Sequence, residues 1–172
     1  INAGKFRGNG GCGYVRKPAH MLPGYGATPR SSTFEVLVLG GKGWDCFKNK
    51  DLLSPPDSYV LVEICGAPAD RQKNKTAVFT ARRRSGREAQ PIWNEVFAFN
   101  ITDLEQAVVL ISVWDLDKLK DDLLGQYAFP LADLRPGWRN IPVLSNDGKK
   151  QDHDPAIVCY FWQDTSRCSA DD

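Results

Sequence analysis

Short apolar segments recur along most of the chain, separated by polar segments that carry glycine or proline. None is longer than nine residues, and all are rich in β-branched and aromatic side chains. Segments of this length, without a helical periodicity of 3.6 residues, are typical of strands. The pattern predicts an all-β fold of eight antiparallel strands, in a sandwich or a barrel. The predicted strands span residues 34–40, 58–66, 75–81, 93–100, 107–115, 124–130, 138–144 and 156–162.

Two predicted strands indicate which faces are buried. Val60, Val62 and Ile64 lie at alternate positions and share one face, because strand side chains point to opposite sides in turn. The strand at 107–115 is apolar on both faces, which predicts a central position in its sheet. Residues 130–137 can hold one helical turn before Gly137.

The two ends of the chain lack this pattern. Residues 1–31 are rich in glycine and proline and predict an irregular arm, whereas residues 164–172 predict a disordered tail. The arm contains "GNGGCG" at 8–13, a G-x-G-x-x-G pattern. A dinucleotide site needs a strand before this pattern and a helix after it, but only seven residues precede Gly8 and Pro18 soon follows. We therefore interpret the glycines as a loop.

Composition excludes several classes of function. The formal net charge is +1, so the chain has no overall positive electrostatic field that would favour binding to nucleic acid. The apolar runs are too short to span a bilayer. Five scattered cysteines without a C-x-x-C pair favour a reducing compartment over a disulfide framework, and a zinc site is not expected. The chain begins at Ile1 without a signal-peptide pattern, so we expect it to be part of a longer protein.

Aspartates cluster around two predicted loops. Asp51 and Asp57 flank one loop, Asp115 and Asp117 end a strand, and Asp121 and Asp122 close the following loop. Carboxylates brought together at one edge of a sandwich repel one another unless a cation lies between them. Calcium accepts such oxygen ligands in flexible geometry, and the carbonyl of Leu116 can add one more. The alternative is ordinary turn chemistry, in which aspartate caps backbone amides.

Basic and apolar residues accompany these carboxylates. The segment "ARRRSGR" and the preceding lysines can contact anionic headgroups, or they can form a solvated charged face. Leucines on the acidic loops can insert into a membrane, or they can pack against Trp44 and Phe47. The predicted lipid-binding residues are Leu52, Leu53, Lys73, Lys75, Arg82, Arg83, Arg84 and Leu119.

Four motifs together resemble the C2 domain, a β-sandwich that binds calcium and membrane lipids through loops on one edge. "DLLSPPDSYVLVEI" looks like its first calcium loop, "KNKTAVF" its basic strand, "QPIWNEVFAF" its W-N-E signature and "VWDLDKLKDDLLGQ" its third loop. The resemblance implies an eight-stranded antiparallel sandwich over 32–163. It also implies a calcium site formed by Asp51, Asp57, Asp115, Leu116, Asp117 and Asp122. This chain departs from the family in having Gln90 before Pro91 and a third loop one residue short, so that Asp121 is the alternative to Asp122.

The segment "FRGNGGCGYVRKP" resembles the end of the catalytic barrel of phosphoinositide-specific phospholipase C, which directly precedes a C2 domain. This resemblance implies that residues 1–31 are the end of that barrel and a linker. It also implies that the catalytic residues lie upstream, so we expect none in this chain. His20 and His153 have no apparent catalytic partner in the sequence and are interpreted as structural or solvent-exposed.

Two hypotheses for function follow. The first is a calcium-gated module that targets a cytoplasmic phospholipase C to the anionic phospholipid surface of a membrane. The second is a calcium-independent scaffold that docks the catalytic barrel or another protein.

Overall fold

The structure is a computed structural model that describes residues 19–24, 28–47, 56–80 and 90–164. These residues form eight antiparallel strands, as the apolar pattern predicts. The strands are β1 Ser32–Lys42, β2 Ser58–Cys65, β3 Gln72–Lys75, β4 Ile92–Ile101, β5 Val108–Asp115, β6 Asp122–Pro130, β7 Gly137–Pro142 and β8 Ala156–Asp164. The predicted "GNGGCG" loop, most of the predicted arm and residues 165–172 lie outside the described residues.

The strands form two four-stranded sheets that pack as a sandwich. One sheet has the order β4-β1-β8-β7, and we term it sheet A. The other has the order β3-β2-β5-β6, and we term it sheet B. The prediction that the strand at 107–115 is central is confirmed, because β5 lies between β2 and β6.

The core lies between the sheets and follows the alternation in the sequence. Val60, Val62 and Ile64 are buried together, which confirms the predicted face of β2. From sheet A, the ring of Phe34 stacks on Phe99 and on Phe161, with centroids 5.9 and 5.8 Å apart. Burial of each such side chain contributes roughly 1.5–3 kcal/mol, so these inward rows hold the two sheets together.

The third predicted strand is wrong in its bounds. The sequence predicts a strand at 75–81, but β3 ends at Lys75 and only Phe79 returns to pair with Ser58. Between these points one backbone hydrogen bond remains, from Thr76 N to the carbonyl of Val60 at 2.9 Å, and side chains take the other positions. Thr76 Oγ1 accepts a hydrogen bond from Val60 N at 3.0 Å, and Ala77 N donates to Glu95 Oε1 at 2.7 Å. The side-chain oxygens of Thr76 and Glu95 therefore take backbone N–H groups that would otherwise bond to carbonyls of a neighbouring strand, and the chain leaves the sheet after Lys75.

The helices within the described residues are 3₁₀ turns of three or four residues, and none is long and apolar enough to traverse a bilayer. They span Ala19–Met21, Trp44–Phe47, Pro68–Asp70 and Leu131–Asp133. The last of these confirms the helical turn predicted within 130–137. The cysteines that the structure describes, Cys46, Cys65 and Cys159, form no disulfide.

Two buried carboxylates organise the end of the sandwich where β1 begins. Asp70 accepts hydrogen bonds from Thr102 N at 2.7 Å, Thr102 Oγ1 at 2.6 Å and Asp103 N at 2.9 Å. Asp103 lies 2.9 Å from His20 Nε2 and also accepts from the side chain of Gln106. His20 therefore has a structural role, joining the segment before β1 to the sandwich, whereas His153 is exposed in a turn.

Candidate functional site

The opposite end of the sandwich, where β1 ends and β2 begins, carries Leu119 and the predicted calcium ligands that the structure describes, Asp57, Asp115, Leu116, Asp117 and Asp122. We term this end the rim, and its described parts are residues 42–47, 56–58, 90–92 and 115–122. Asp51, Leu52, Leu53 and the arginines at 82–84 and 87 lie outside the described residues. Their predicted roles therefore stay predictions.

Aromatic side chains form the floor of the rim. The ring of Trp44 lies edge-on to Phe47 and to Trp93, with centroids 5.2 and 5.7 Å apart. Both indoles hold Ser58, since Trp44 Nε1 donates to its hydroxyl and Trp93 Nε1 donates to its carbonyl, each at 3.3 Å. These contacts fix the start of β2 and so position Asp57, the residue before it.

Backbone pairing brings three of the predicted ligands to neighbouring positions. Ser58 lies opposite Asp115, and Asp115 lies opposite Asp122 across β5 and β6. Leu116 N donates to the carbonyl of Asp57 at 2.9 Å, which fastens the third loop to the first. Asp115 is buried, whereas Asp117 and Asp122 are exposed.

Asp121, the alternative ligand, is held by other groups. Tyr59 Oη donates to Asp121 Oδ2 at 2.7 Å, and Asp117 N donates to Asp121 Oδ1 at 3.3 Å. Burial and the neighbouring carboxylate raise the pKa of Tyr59 to about 12, because both disfavour a phenolate. The carboxylate of Asp121 therefore joins the two ends of the third loop to each other and to β2.

Tyr59→Phe is expected to flatten the alkaline stability profile of the chain. Unfolded tyrosine ionises near pH 10, whereas Tyr59 holds its proton to about pH 12 in the fold. The folded state binds more protons in this interval, so Tyr59 contributes stability that is complete below pH 10 and lost towards pH 12. Urea unfolding from pH 9 to 12 measures the difference between parent and variant, which cancels the other titrating groups. If the stabilities of the parent and the variant fall in parallel from pH 9 to 12, the raised pKa of Tyr59 is contradicted.

The rim carboxylates that the structure describes, Asp57, Asp115, Asp117 and Asp122, are ligands of the type that calcium prefers. They do not by themselves form a complete calcium site. Carboxylate and carbonyl oxygens are hard ligands that suit calcium. Within the described residues, however, no three His, Cys, Asp or Glu side chains form a group that could hold a metal ion. The predicted ligand Asp51 lies outside these residues, so the ligand set stays a prediction.

The tip of the third loop presents an apolar side chain between two cations. Leu119 is fully exposed, with a relative accessibility of 101%, so it does not pack against Trp44 or Phe47. Its neighbours Lys118 and Lys120 are also exposed. These two lysines are absent from the predicted lipid-binding residues, although their positions on either side of Leu119 are visible in the sequence.

Two further contacts hold the loops of the rim and the strands beside it. Gln90 Oε1 accepts a hydrogen bond from Trp44 N at 3.2 Å, so this departure from the family pattern ties the second loop to the first. Lys75 Nζ lies 5.1 Å from the centre of the Tyr59 ring, which connects the basic strand β3 to the tyrosine that holds Asp121. Lys73 and Lys75 are both exposed.

The sandwich, its W-N-E strand and the loops of the rim agree with a known family. The family model of the C2 domain matches residues 32–144. The chain belongs to the C2 domain family. The resemblance drawn from the four motifs is thereby confirmed, and the matched range contains the strands β1 to β7.

Curated relatives of this C2 domain are phosphoinositide phospholipases C. Phosphoinositide phospholipase C 6 of Arabidopsis thaliana is 38% identical over 160 residues, which cover 86% of this chain and 25% of the relative. The gamma-type phosphodiesterase plc-3 of Caenorhabditis elegans is 32% identical over 181 residues, which cover 98% of this chain and 12% of the relative. The chain thus spans a quarter or less of the length of these relatives.

Solved structures show the same fold. PLC21 of S. officinalis superposes with a TM-score of 0.60 at 21% identity, covering 87% of this chain and 17% of that one. A C2 domain of plant extended synaptotagmin 1 superposes with a TM-score of 0.59 at 16% identity, covering 82% of this chain and 99% of that domain.

Proposed function

We propose that this C2 domain binds anionic phospholipid surfaces in a calcium-dependent manner. The observation that carries the proposal is the convergence of acidic residues on one rim. Asp57, Asp115 and Asp122 occupy neighbouring backbone positions, and Asp117 follows on the same loop as the fully exposed Leu119. Calcium, held by these four residues with Asp51 and the carbonyl of Leu116, would neutralise the clustered carboxylates.

The charges of the rim explain why binding depends on the cation. Without it, the clustered carboxylates repel an anionic surface. Once their charge is neutralised, Lys118 and Lys120 attract the surface, each contributing roughly 1 kcal/mol, and Arg82–Arg84 on the second loop add to them. Leu119, together with Leu52 and Leu53, then enters the boundary between headgroups and acyl chains. Lys73 and Lys75 extend the basic surface along β3.

The relatives support a proposal for the longer protein. Proteins that contain a similar segment are phosphoinositide phospholipases C, and residues 6–18 resemble the end of their catalytic barrel. We infer that this chain belongs to a cytoplasmic enzyme that hydrolyses phosphoinositides and is recruited peripherally to the membrane. In that enzyme the C2 domain brings the catalytic barrel to its lipid substrate.

A calcium-independent scaffold is the second candidate, and one observation favours it. No group of three metal-binding side chains forms within residues 19–24, 28–47, 56–80 and 90–164, and Asp121 is taken up by Tyr59. Under this alternative the aspartates cap turns, and the domain serves to hold the catalytic barrel or another protein.

Calorimetric titration separates the two candidates. Calcium is titrated into the chain alone, and then in the presence of vesicles of phosphatidylcholine with phosphatidylserine. The proposed function requires heat of binding in both cases and tighter calcium binding with vesicles, because the two ligands stabilise each other's complex. Absence of calcium binding under both conditions leaves the scaffold as the function.

Leu119→Ser is expected to weaken calcium-dependent vesicle binding without changing calcium affinity. Partial insertion of a leucine contributes about 1 kcal/mol, so binding should fall roughly fivefold. The double variant Leu52→Ser/Leu53→Ser should lose more. Sedimentation with phosphatidylserine vesicles measures the effect. Val96→Ser, an apolar and exposed position away from the rim, is the control and should bind like the parent. Equal losses in Leu119→Ser and Val96→Ser contradict insertion by the third loop.

A further inference from the structure

A cleft opens along one side of the sandwich, between the last strand of each sheet. Strand β6 is the edge strand of sheet B and pairs with β5, whereas β7 is the edge strand of sheet A and pairs with β8. Towards the rim the gap is closed, because Gln126 and Leu144 exchange backbone hydrogen bonds of 2.8 and 3.1 Å. The cleft that remains has a volume of about 300 Å³, at the lower end of the range for small-molecule sites.

Aromatic and aliphatic side chains form the walls of the cleft. The rings of Tyr127 and Phe129 on β6 are 6.3 Å apart, and both line the cleft. Phe129 also lies edge-on to Phe161 in the core, with centroids 5.6 Å apart. The half-buried Leu134 and the buried Ile141 complete the apolar wall. The wall is therefore continuous with the core and offers a ligand an apolar surface.

Two arginines and one aspartate complete the lining. Arg139 lies two residues before the buried Ile141 and is half-buried on the same face of β7. Its guanidinium donates to the carbonyls of Trp138, Arg135 and Pro136 at 2.7, 2.8 and 3.5 Å. These carbonyls hold the group in place without neutralising its charge. The ion pairs within the described parts of the chain are formed by other side chains, so neither arginine has a carboxylate partner there.

The polar groups of the cleft define the charge of its ligand. Arg135 and Arg139 carry two positive charges and Asp133 carries one negative charge, which leaves one net positive charge. A singly charged carboxylate matches this value and can pair with a guanidinium through two hydrogen bonds. A phosphate monoester carries a charge of about −1.5 to −2 at pH 7, and the excess would be repelled by Asp133. The hydroxyl of Tyr127, which bonds to none of the described residues, is a further donor.

The volume of the cleft sets the size of the apolar part of the ligand. At about 30 Å³ for each group of the size of a water molecule or a methylene, the cleft holds roughly ten such groups. An unbranched acyl chain suits a slot between two strands, because it is narrow and can bend at each of its single bonds. The cleft therefore has the size, the apolar walls and the charge that a medium-chain fatty acid requires.

We propose that the cleft between β6 and β7 binds a medium-chain fatty acid. The acyl chain packs against Phe129, Leu134 and Ile141. The carboxylate pairs with Arg135 and with the N–H groups of Arg139 that do not bond to backbone carbonyls. The cleft lies at the end of β6 that is remote from the rim, so this binding site is separate from the proposed calcium and phospholipid site and does not rest on it.

Calorimetric titration of decanoate into the 172-residue chain tests the proposal. The buffer contains a calcium chelator, and decanoate stays below the concentration at which it forms micelles. Arg135→Gln is expected to weaken binding roughly tenfold, because it removes a charged donor from the carboxylate. Arg71→Gln, an exposed arginine beside β3 at the opposite edge of sheet B, is the matched control and should bind decanoate like the parent. Absence of decanoate binding, or equal affinities in the two variants, overturns the proposal.

Two related probes test the chemical class of the ligand. Decanol has the same chain without the charge and is expected to bind at least about tenfold more weakly than decanoate. Decyl phosphate has the same chain with a larger charge and should also bind more weakly. Decanol that binds as tightly as decanoate overturns the role of the arginines. Decyl phosphate that binds more tightly would assign the cleft to a phosphate monoester and overturn the choice of a fatty acid.

Leu134→Trp and amide chemical shifts locate the bound molecule. The larger side chain should fill the cleft and abolish decanoate binding, and Arg135→Gln keeps the proposal testable if this variant does not fold. In the parent, decanoate should shift the amide signals of Phe129 and Ile141. The signals of Leu119 on the rim and Val96 on sheet A, which are also exposed apolar positions, should not move. Shifts confined to either of these surfaces overturn the proposal.

Discussion

Replacing Asp115 and Asp117 together with asparagine is expected to abolish the calcium-dependent stabilisation that the proposed function predicts for the parent chain. A ligand that binds only the folded state at a hundredfold excess over its Kd adds about 2.7 kcal/mol to the free energy of unfolding. For a domain of this size, that corresponds to a rise in Tm of roughly 5–10 °C. The double variant keeps the size of both side chains but removes two charges from the rim. Thermal unfolding followed by circular dichroism, with and without calcium, measures the shift.

Asp152→Asn/Asp154→Asn is the matched control for this experiment. These two aspartates have the same D-x-D spacing and lie in the turn before β8, which is at the same end of the sandwich, beside Gly43, but belongs to neither acidic loop. The control variant should keep the full calcium shift. A site elsewhere in the chain is indicated if Asp115→Asn/Asp117→Asn still gains stability like the parent, or if both double variants lose the shift equally.

Asp70→Ala is expected to destabilise the domain more than any substitution at the rim. The change removes the acceptor of three donors, of which Asp103 N is buried and the two of Thr102 belong to an exposed residue. The unsatisfied buried donor costs about 1–3 kcal/mol and each lost hydrogen bond of Thr102 about 0.5–1.5 kcal/mol, so the total is roughly 2–6 kcal/mol. This is a large part of the roughly 5–15 kcal/mol that typically stabilises a domain. Urea unfolding at neutral pH measures the loss.

Two companion variants make the Asp70 result specific. Asp70→Asn keeps one acceptor oxygen and should lie between the parent and the alanine variant. Asp133→Ala removes an exposed aspartate and should have little effect. A loss in Asp70→Ala no larger than that in Asp133→Ala is incompatible with a structural role for this carboxylate.

The sequence predicts the sandwich because alternation along a strand reports which side is buried. Val60, Val62 and Ile64 show this directly, and the apolar runs on both faces of β5 identify an interior strand. The bounds of β3 could not be predicted in the same way. Thr76 and Glu95 act there as hydrogen-bond acceptors for the backbone, and a hydrophobicity pattern carries no information on such contacts.

Only part of the candidate site can be predicted from the sequence. The aspartates near strand ends are recognisable, since β5 and β6 are consecutive strands whose pairing brings Asp115 opposite Asp122. The partners of Asp121 and Asp70 are not, because Tyr59 and Thr102 lie 62 and 32 residues away along the chain. Such contacts become visible only once the register of the sheets is known.

Strand β1 runs from the end where the preceding segment enters to the rim. Its eleven residues, at about 3.3 Å each, separate Ser32 from Lys42 by about 33 Å. With the rim resting on a bilayer as proposed, the sandwich acts as a rigid spacer, and the chain that precedes Ser32 emerges at about this height above the headgroups when β1 stands upright. Tilting the sandwich towards the membrane lowers that point, so the angle at which the rim binds would set how closely the proposed catalytic barrel approaches its lipid.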